Sequence, residues 1–176
     1  MLNTSLLVGL LMTLRNMTVF DFNSKSDLSN WMIVDDVVMG GRSNGQFEVS
    51  EDGNGLFFGY VSTENYGGFS SVRYYSGSLD IADYKYAVIR LKGDGKSYQF
   101  RTKSSYYDRY SYVYEFKTSG EWEITEIPLS EMEPRFRGRI LNIPNYPGET
   151  LEEIAFLIGN KRNESFRLEI DFIEMR

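Results

Sequence analysis

The chain has 176 residues, which is the length of a single domain, and its 25 acidic against 19 basic side chains give a net charge of −6. Because nucleic-acid binding draws on clustered Lys and Arg, this balance argues against a nucleic-acid partner. The chain contains neither cysteine nor histidine, which excludes disulfides, Cys-ligated zinc and the Ser-His-Asp triad. We therefore expect a protein that is not an enzyme and that has no cofactor and no metal site.

The first sixteen residues differ from the rest of the chain. Residues 6–14 form an apolar run that is too short to span a bilayer, which takes about 20 residues. No Lys or Arg precedes the run, although a signal peptide carries basic residues there. We interpret residues 1–16 as an extension outside the core and residues 17–176 as one domain, with an export signal as the alternative interpretation of the extension.

From residue 18 onwards, apolar and polar residues alternate in many short runs, as is typical of half-buried β-strands. The predicted strands are 18–22, 31–38, 46–50, 55–62, 69–75, 87–92, 97–103, 110–117, 122–129, 154–159 and 166–172. Many short strands with turn residues between them indicate a β-sandwich or a barrel. The fold class predicted is therefore all-β.

Three details of this pattern lead to separate expectations. The apolar register shifts within 122–129, so we expect a β-bulge near Thr125 or Glu126 and, because of Pro128, an edge strand or the end of a strand. Thr150 followed by Glu153 fits a capping box and predicts a single helical turn before the next strand. The stretch 130–150 contains three prolines and is predicted to be an irregular loop.

The segment Gly93-Asp94-Gly95-Lys96-Ser97 imitates the end of a phosphate-binding loop. The full pattern needs a glycine five residues before Gly95, where this chain has Arg90, and a helix after the serine. A strand pattern follows instead. Since Asp-Gly is a strong turn signal, we predict a hairpin turn here and no nucleotide site.

Tyrosines crowd the region around residue 110. The alternating set at 110, 112, 114 and 116 (three tyrosines and a phenylalanine) is predicted to fill the core, with an aromatic platform for sugar rings or a protein partner as the alternative. Tyr106 and Tyr107 lie outside the alternation beside two charged residues, so we expect them to be exposed. They are candidates for a binding site.

Glycine clusters mark three further segments, residues 36–43, 65–73 and 91–100. Glycine permits sharp turns and close backbone approach. Two interpretations of the first segment stay open: Met39 plugs one end of the sandwich, or this loop and residues 65–73 form a recognition surface with Arg73 as its charged anchor. The candidate partner surface comprises Asp36, Met39, Gly40, Gly41, Ser43, Asn65, Gly67, Gly68, Arg73, Asp94, Tyr106 and Tyr107.

Together with residues 122–128, 134–138 and 166–173, the three glycine segments resemble, in the same order, the complex I intermediate-associated protein 30 family. The resemblance covers residues 18–175. It implies a galactose-binding-like jelly-roll sandwich and a chaperone-like assembly or scaffolding role whose partner is a protein client. The same sandwich serves widely as a carbohydrate-binding module, so a glycan-binding function is the alternative. No Arg-rich, Ser-rich presequence is evident, and we therefore expect a cytoplasmic protein of bacterial type.

Overall fold

The computed structural model describes residues 16–176, and within that range it leaves the side chains of Val38 and Met39 undescribed. The strands in chain order are β1 (Met17–Asp21), β2 (Trp31–Asp35), β3 (Asn44–Val49), β4 (Gly55–Val61), β5 (Ser70–Asp80), β6 (Tyr86–Lys92), β7 (Ser97–Lys103), β8 (Ser111–Lys117), β9 (Trp122–Pro128), β10 (Glu133–Phe136), β11 (Arg139–Ile140), β12 (Thr150–Ile158) and β13 (Glu164–Met175). Short 3-10 turns span Asp36–Met39, Glu64–Tyr66 and Leu129–Glu131.

Two antiparallel sheets enclose one hydrophobic core. The first sheet has the order β3-β4-β13-β6-β9, with β1 also paired to β13, and the second has the order β11-β10-β8-β7-β12-β5-β2. Each strand near the centre of a sheet contributes alternate apolar side chains to the interior, as Phe57, Phe100, Phe156 and Leu168 illustrate, all fully buried. The predicted all-β sandwich is confirmed.

An aromatic cluster closes one end of the core. Trp31 on β2 stacks on Tyr74 of β5, with ring centroids 4.8 Å apart, and contacts Phe47 of β3 at 4.8 Å. Phe20 and Phe22, at the end of β1, pack edge-on and tilted against the same indole. Because these rings come from both sheets, they fix the position of β2 at the edge of the second sheet.

The predicted tyrosine core is confirmed. Tyr112 is buried, and Tyr110, Tyr114 and Phe116 pack against the core while remaining partly exposed. Burial raises the pKa of the Tyr112 hydroxyl, and the neighbouring Tyr110 adds to this effect. The outward face of β8 is therefore formed by the residues that alternate with them, among them Val113 and Glu115.

Strand β9 lies at an edge, as Pro128 predicted, but the bulge does not occur. Its pairing with β6 is continuous through Ile89↔Thr125. The register shift in the sequence arises because Trp122 and Ile124 face outward. Ile124 is 50% exposed, and the guanidinium of Arg90 lies 4.5 Å above the Trp122 ring, which gives the indole a partner outside the core.

Three other expectations are corrected. Thr150 begins β12, so there is no helical turn, because pairing to β5 and β7 satisfies that backbone as a strand. The stretch 130–150 includes β10 and β11 and is not a continuous loop. Residues 93–96 do turn, yet they join β6 of the first sheet to β7 of the second and do not form a hairpin. The proposed extension at 1–16 lies outside the described residues, apart from Asn16.

Among residues 16–176, no helix is long and apolar enough to cross a membrane.

Candidate functional site

The carboxylate of Asp36 fastens two of the glycine loops to each other. It accepts hydrogen bonds from the backbone N–H of Ser43 at 3.0 Å and of Phe69 at 3.2 Å, and also from the Gly68 N–H and the Ser43 hydroxyl. Burial acts to raise the pKa of Asp36, but these four hydrogen bonds outweigh it and hold the pKa below its usual value. The buried side chain is therefore a charged structural hub.

The glycines beside Asp36 are required by how closely the backbone wraps this carboxylate. A Cβ on Gly41 would lie 2.2 Å from Asp36 Oδ1, and one on Gly67 would lie 2.6 Å from Oδ2. Gly40 has φ = 90°, a left-handed conformation that ends the 3-10 turn. The packing around the Asp36 carboxylate and the end of the 3-10 turn therefore account for Gly40, Gly41 and Gly67 without a binding partner.

This geometry corrects part of the predicted partner surface. Asp36 is fully buried and Ser43 is 2% exposed, so neither side chain is available to a partner. The Met39 side chain lies outside the described residues. Asn65 has φ = 55° in an exposed turn next to Gly67 and Gly68, and its role in binding stays a prediction.

Asp94 also serves the architecture. Its carboxylate accepts hydrogen bonds from Lys96 Nζ at 2.6 Å, from the Tyr98 hydroxyl at 3.0 Å and from the backbone N–H of Arg167 at 3.1 Å. Burial, followed by the charge of Asp94, raises the pKa of Tyr98. Asp94 therefore joins the turn between the sheets to β13, and its acceptor sites are taken by the protein itself.

Three of the predicted residues, Arg73, Tyr106 and Tyr107, meet in one depression of about 380 Å³ on the outer face of the second sheet. The depression is lined by Ser29, Asn30, Met32, Arg73, Tyr75, Tyr106, Tyr107 and Glu153. Tyr107 is 89% exposed, and Met32, Tyr75 and Tyr106 are each about half exposed. The two clusters of candidates are thus separated: the glycine loops lie beyond the Asp35–Ser70 end of β2 and β5, and the depression lies further along the same strands.

The tyrosines of the depression are held by a short turn after β7. The Tyr106 N–H donates to Glu152 at 2.8 Å, and Lys103 Nζ donates to the Tyr106 carbonyl at 3.4 Å. The ring of Tyr106 contacts Tyr75 edge-on at 5.4 Å and Tyr107 at 5.8 Å. Rigid, amphipathic rings presented in this way offer contact area at a small cost in side-chain entropy.

The floor of the depression is charged. Glu153 is 4% exposed and lies 3.8 Å from Arg73 Nη1 and 3.9 Å from Lys103 Nζ. Glu153 was predicted to belong to a helix cap, and Tyr75 was not among the predicted site residues. The strand alternation does predict a role for Tyr75: Arg73 and Tyr75 alternate with the core residues Val72 and Tyr74, so both face the outside of the sheet.

The chain is similar in sequence to proteins of one known family. The sequence model of the complex I intermediate-associated protein 30 family matches residues 20–170. Two relatives are both named "Complex I intermediate-associated protein 30, mitochondrial". The protein from Drosophila melanogaster is 27% identical, over 88% of this chain and 61% of its own length. The protein from Mus musculus is 26% identical, over 88% of this chain and 54% of its own length.

The chain thus spans little more than half the length of these relatives. Both are named as mitochondrial proteins, which contradicts the cytoplasmic location expected from the sequence.

Solved structures of carbohydrate-binding modules share the fold. The family 11 module of a cellulosomal cellulase of Clostridium thermocellum superposes with a TM-score of 0.62 at 18% identity, over 92% of this chain and 94% of the module. A second structure, of the same family 11 module in complex with a β-1,3-1,4-mixed-linked tetrasaccharide, gives 0.61 at 18% identity, over 91% and 94% of the two chains. This likeness confirms the predicted β-sandwich fold.

Proposed function

Because the chain belongs to the complex I intermediate-associated protein 30 family, we propose that it is a non-enzymatic protein-binding domain that assists the assembly of respiratory complex I. The relatives whose names carry that role match this chain over nearly all of the described sandwich. An assembly factor needs a surface for a client and no reacting groups. The absence of histidine and cysteine from the sequence is consistent with such a role.

The observation that carries the proposal is the depression that Tyr75, Tyr106 and Tyr107 border. Tyrosine, methionine and arginine are the residue types enriched at protein interfaces, and here Met32 and Arg73 complete the set. Tyr107 projects almost fully into solvent, as a binding anchor does before its partner covers it. A client that buries this patch would remove apolar surface that the isolated domain leaves in water.

The test is a quantitative pull-down from solubilised membranes of the native organism, read by mass spectrometry. The bait proteins are the wild type, the double variant Tyr106→Ala/Tyr107→Ala, and a matched control, Tyr60→Ala, from the first sheet, where Tyr60 is 45% exposed. We expect complex I subunits with the wild type and the control, and at least a tenfold loss with the double variant. Equal capture by all three baits would contradict the proposed site, and capture of no complex I subunit would contradict the proposed client.

A second candidate function is carbohydrate binding, which the tyrosines of the depression also support. Aromatic faces stack on sugar rings, and the exposed side chain of Asn30 offers hydrogen-bond partners for hydroxyl groups. The probe is the mixed-linkage β-glucan tetrasaccharide, titrated calorimetrically. Saturable binding that Tyr106→Ala abolishes and Tyr60→Ala preserves would favour this function over the first.

A further inference from the structure

Three arginines form a row across the outer face of the second sheet. The pairing register aligns Arg73 on β5 with Ala155 on β12, and Ala155 in turn with Arg101 on β7. Val113 on β8 follows Arg101 in the same row, and Arg135 on β10 pairs with Ser111, two residues along β8 from Val113. Arg73 and Arg135 lie close enough to Arg101 for their like charges to act on its guanidinium group.

The outer two arginines have carboxylate partners. Arg135 donates to Glu115 at 2.7 Å and to Glu133 at 2.9 Å, while Arg73 lies 3.8 Å from Glu153. Their positive charges are therefore balanced by groups of the chain itself. The distance of Arg73 from Glu153 is longer than either distance at Arg135, so Arg73 is held less tightly by its carboxylate.

Arg101, at the centre of the row, differs. Within residues 16–176 it forms no ion pair. Its Nε and Nη2 atoms both donate to the amide oxygen of Gln99, at 3.1 and 2.8 Å. A guanidinium carries five N–H donors in a planar fork, so most of its hydrogen-bonding capacity is left without an acceptor from the described part of the chain.

The surroundings make this arrangement costly. Burial, followed by the like charges of Arg73 and Arg135, lowers the pKa of Arg101 to about 10, although Glu115 and Glu153 oppose the shift. The side chain is still charged at neutral pH. No Arg101 nitrogen is a fully buried atom without a partner, so its free N–H groups are accessible from the surface. An external anion there would offset both the burial and the like charges.

We propose that Arg101, with Arg73 beside it, binds the carboxylate of an acidic side chain on the protein partner; this inference rests on the proposed function. The planar fork matches a carboxylate in a bidentate manner. The tyrosines and Met32 of the adjoining depression accept a neighbouring apolar side chain, so the partner segment combines an Asp or Glu with a hydrophobic residue. The chain's own net charge of −6 disfavours polyanions such as nucleic acids, whereas a single carboxylate matches the one arginine of the row that has no carboxylate partner among the described residues.

The first test uses acetate as the probe and observes the arginine side chains directly. The Nε–H resonances are followed by NMR as sodium acetate replaces sodium chloride at constant ionic strength, with Arg101→Gln used to assign the Arg101 signal. We expect a saturable shift at Arg101 and none at Arg167, which pairs with Glu169 on the other sheet. Shifts that are equal at Arg101 and Arg167, or absent at both, would overturn the proposal.

The second test separates this inference from the proposed function. The pull-down is repeated with Arg101→Gln, Arg101→Lys and the control Arg167→Gln, after circular dichroism has shown that each variant folds. We expect at least a tenfold loss of the client with Arg101→Gln, a smaller loss with Arg101→Lys, which keeps the charge without the fork, and full capture with Arg167→Gln. If both Arg101 variants retain the client while Tyr106→Ala/Tyr107→Ala loses it, the carboxylate site is wrong and the protein-binding function stands.

Discussion

Replacing Asp36 by Asn tests whether the glycine loops are held by a charge. The substitution preserves the size of the side chain but leaves one oxygen in place of two. In the structure Oδ1 accepts the Ser43 N–H, while Oδ2 accepts the Gly68 and Phe69 N–H groups and the Ser43 hydroxyl. Whichever way the amide is placed, its NH₂ group faces a backbone donor. At least one buried N–H therefore loses its acceptor.

The magnitude follows from the hydrogen bonds that are lost. Hydrogen bonds to a charged group contribute about 1.5–3 kcal/mol each, and a buried donor left unsatisfied costs about 1–3 kcal/mol. With partial relaxation of the loops, we expect Asp36→Asn to lower the free energy of unfolding by about 2–4 kcal/mol. The folded-state pKa of Asp36 is lowered, so its contribution is present above the unfolded value of about 3.9 and is lost as the pH falls through the folded pKa.

The assay is urea unfolding of the wild type and the variant from pH 7 down to pH 3. The gap in unfolding free energy should be constant near neutrality and should shrink as the pH falls below about 4. Asp52→Asn, at an exposed position in the turn after β3, is the matched control and should change stability by less than about 0.5 kcal/mol. A gap below that value for Asp36→Asn, or one that persists unchanged at acid pH, would refute the reasoning.

Three further outcomes are expected in thermal and urea unfolding. Gly41→Ala should destabilise the fold by about 1–3 kcal/mol, because its Cβ would press on the Asp36 carboxylate; a neutral result would show that the loops can move apart. Arg101→Gln should leave the free energy of unfolding unchanged or raise it. Arg135→Gln should lower it by about 1 kcal/mol through the loss of two ion pairs. A larger loss of stability for Arg101→Gln than for Arg135→Gln would show that Arg101 is a structural residue. Tyr107→Ala should stay within about 0.5 kcal/mol of the wild type, because the ring is 89% exposed, and a larger loss would mean that the ring supports the turn.

Alternation in the sequence located the strands other than β10 and β11, because a half-buried strand repeats every two residues whatever it pairs with. The short β10 and β11 lie in the proline-containing stretch that was predicted to be a loop. It could not assign strands to sheets. The turn at 93–96 has the chemistry of a hairpin, and only tertiary pairing sends β6 and β7 to opposite sheets. The sequence predicted a bulge because it placed Trp122 in the core. In the structure Trp122 faces outward and packs against Arg90 of the neighbouring strand, a contact that the local sequence does not reveal.

The sequence predicted only part of the candidate site, because the rest depends on contacts between residues that are distant in the chain. Tyr106 and Tyr107 stood out locally, since they broke the alternation around them. Asp36 was expected on the partner surface, whereas its four hydrogen-bond donors come from residues 7 to 33 positions away, which the local sequence does not reveal. Arg101 carries no local signal, because its significance depends on which residues lie beside it across the sheet.

The central claim is that the tyrosine-bordered depression is where the client binds. The most direct measurement is site-specific photo-cross-linking in the native organism, with a benzophenone amino acid placed at position 107 and, as the control, at position 60 on the other sheet. The account predicts a discrete adduct with a complex I subunit from position 107 and none from position 60. An adduct from position 60 alone, or the same adduct from both positions, would contradict it.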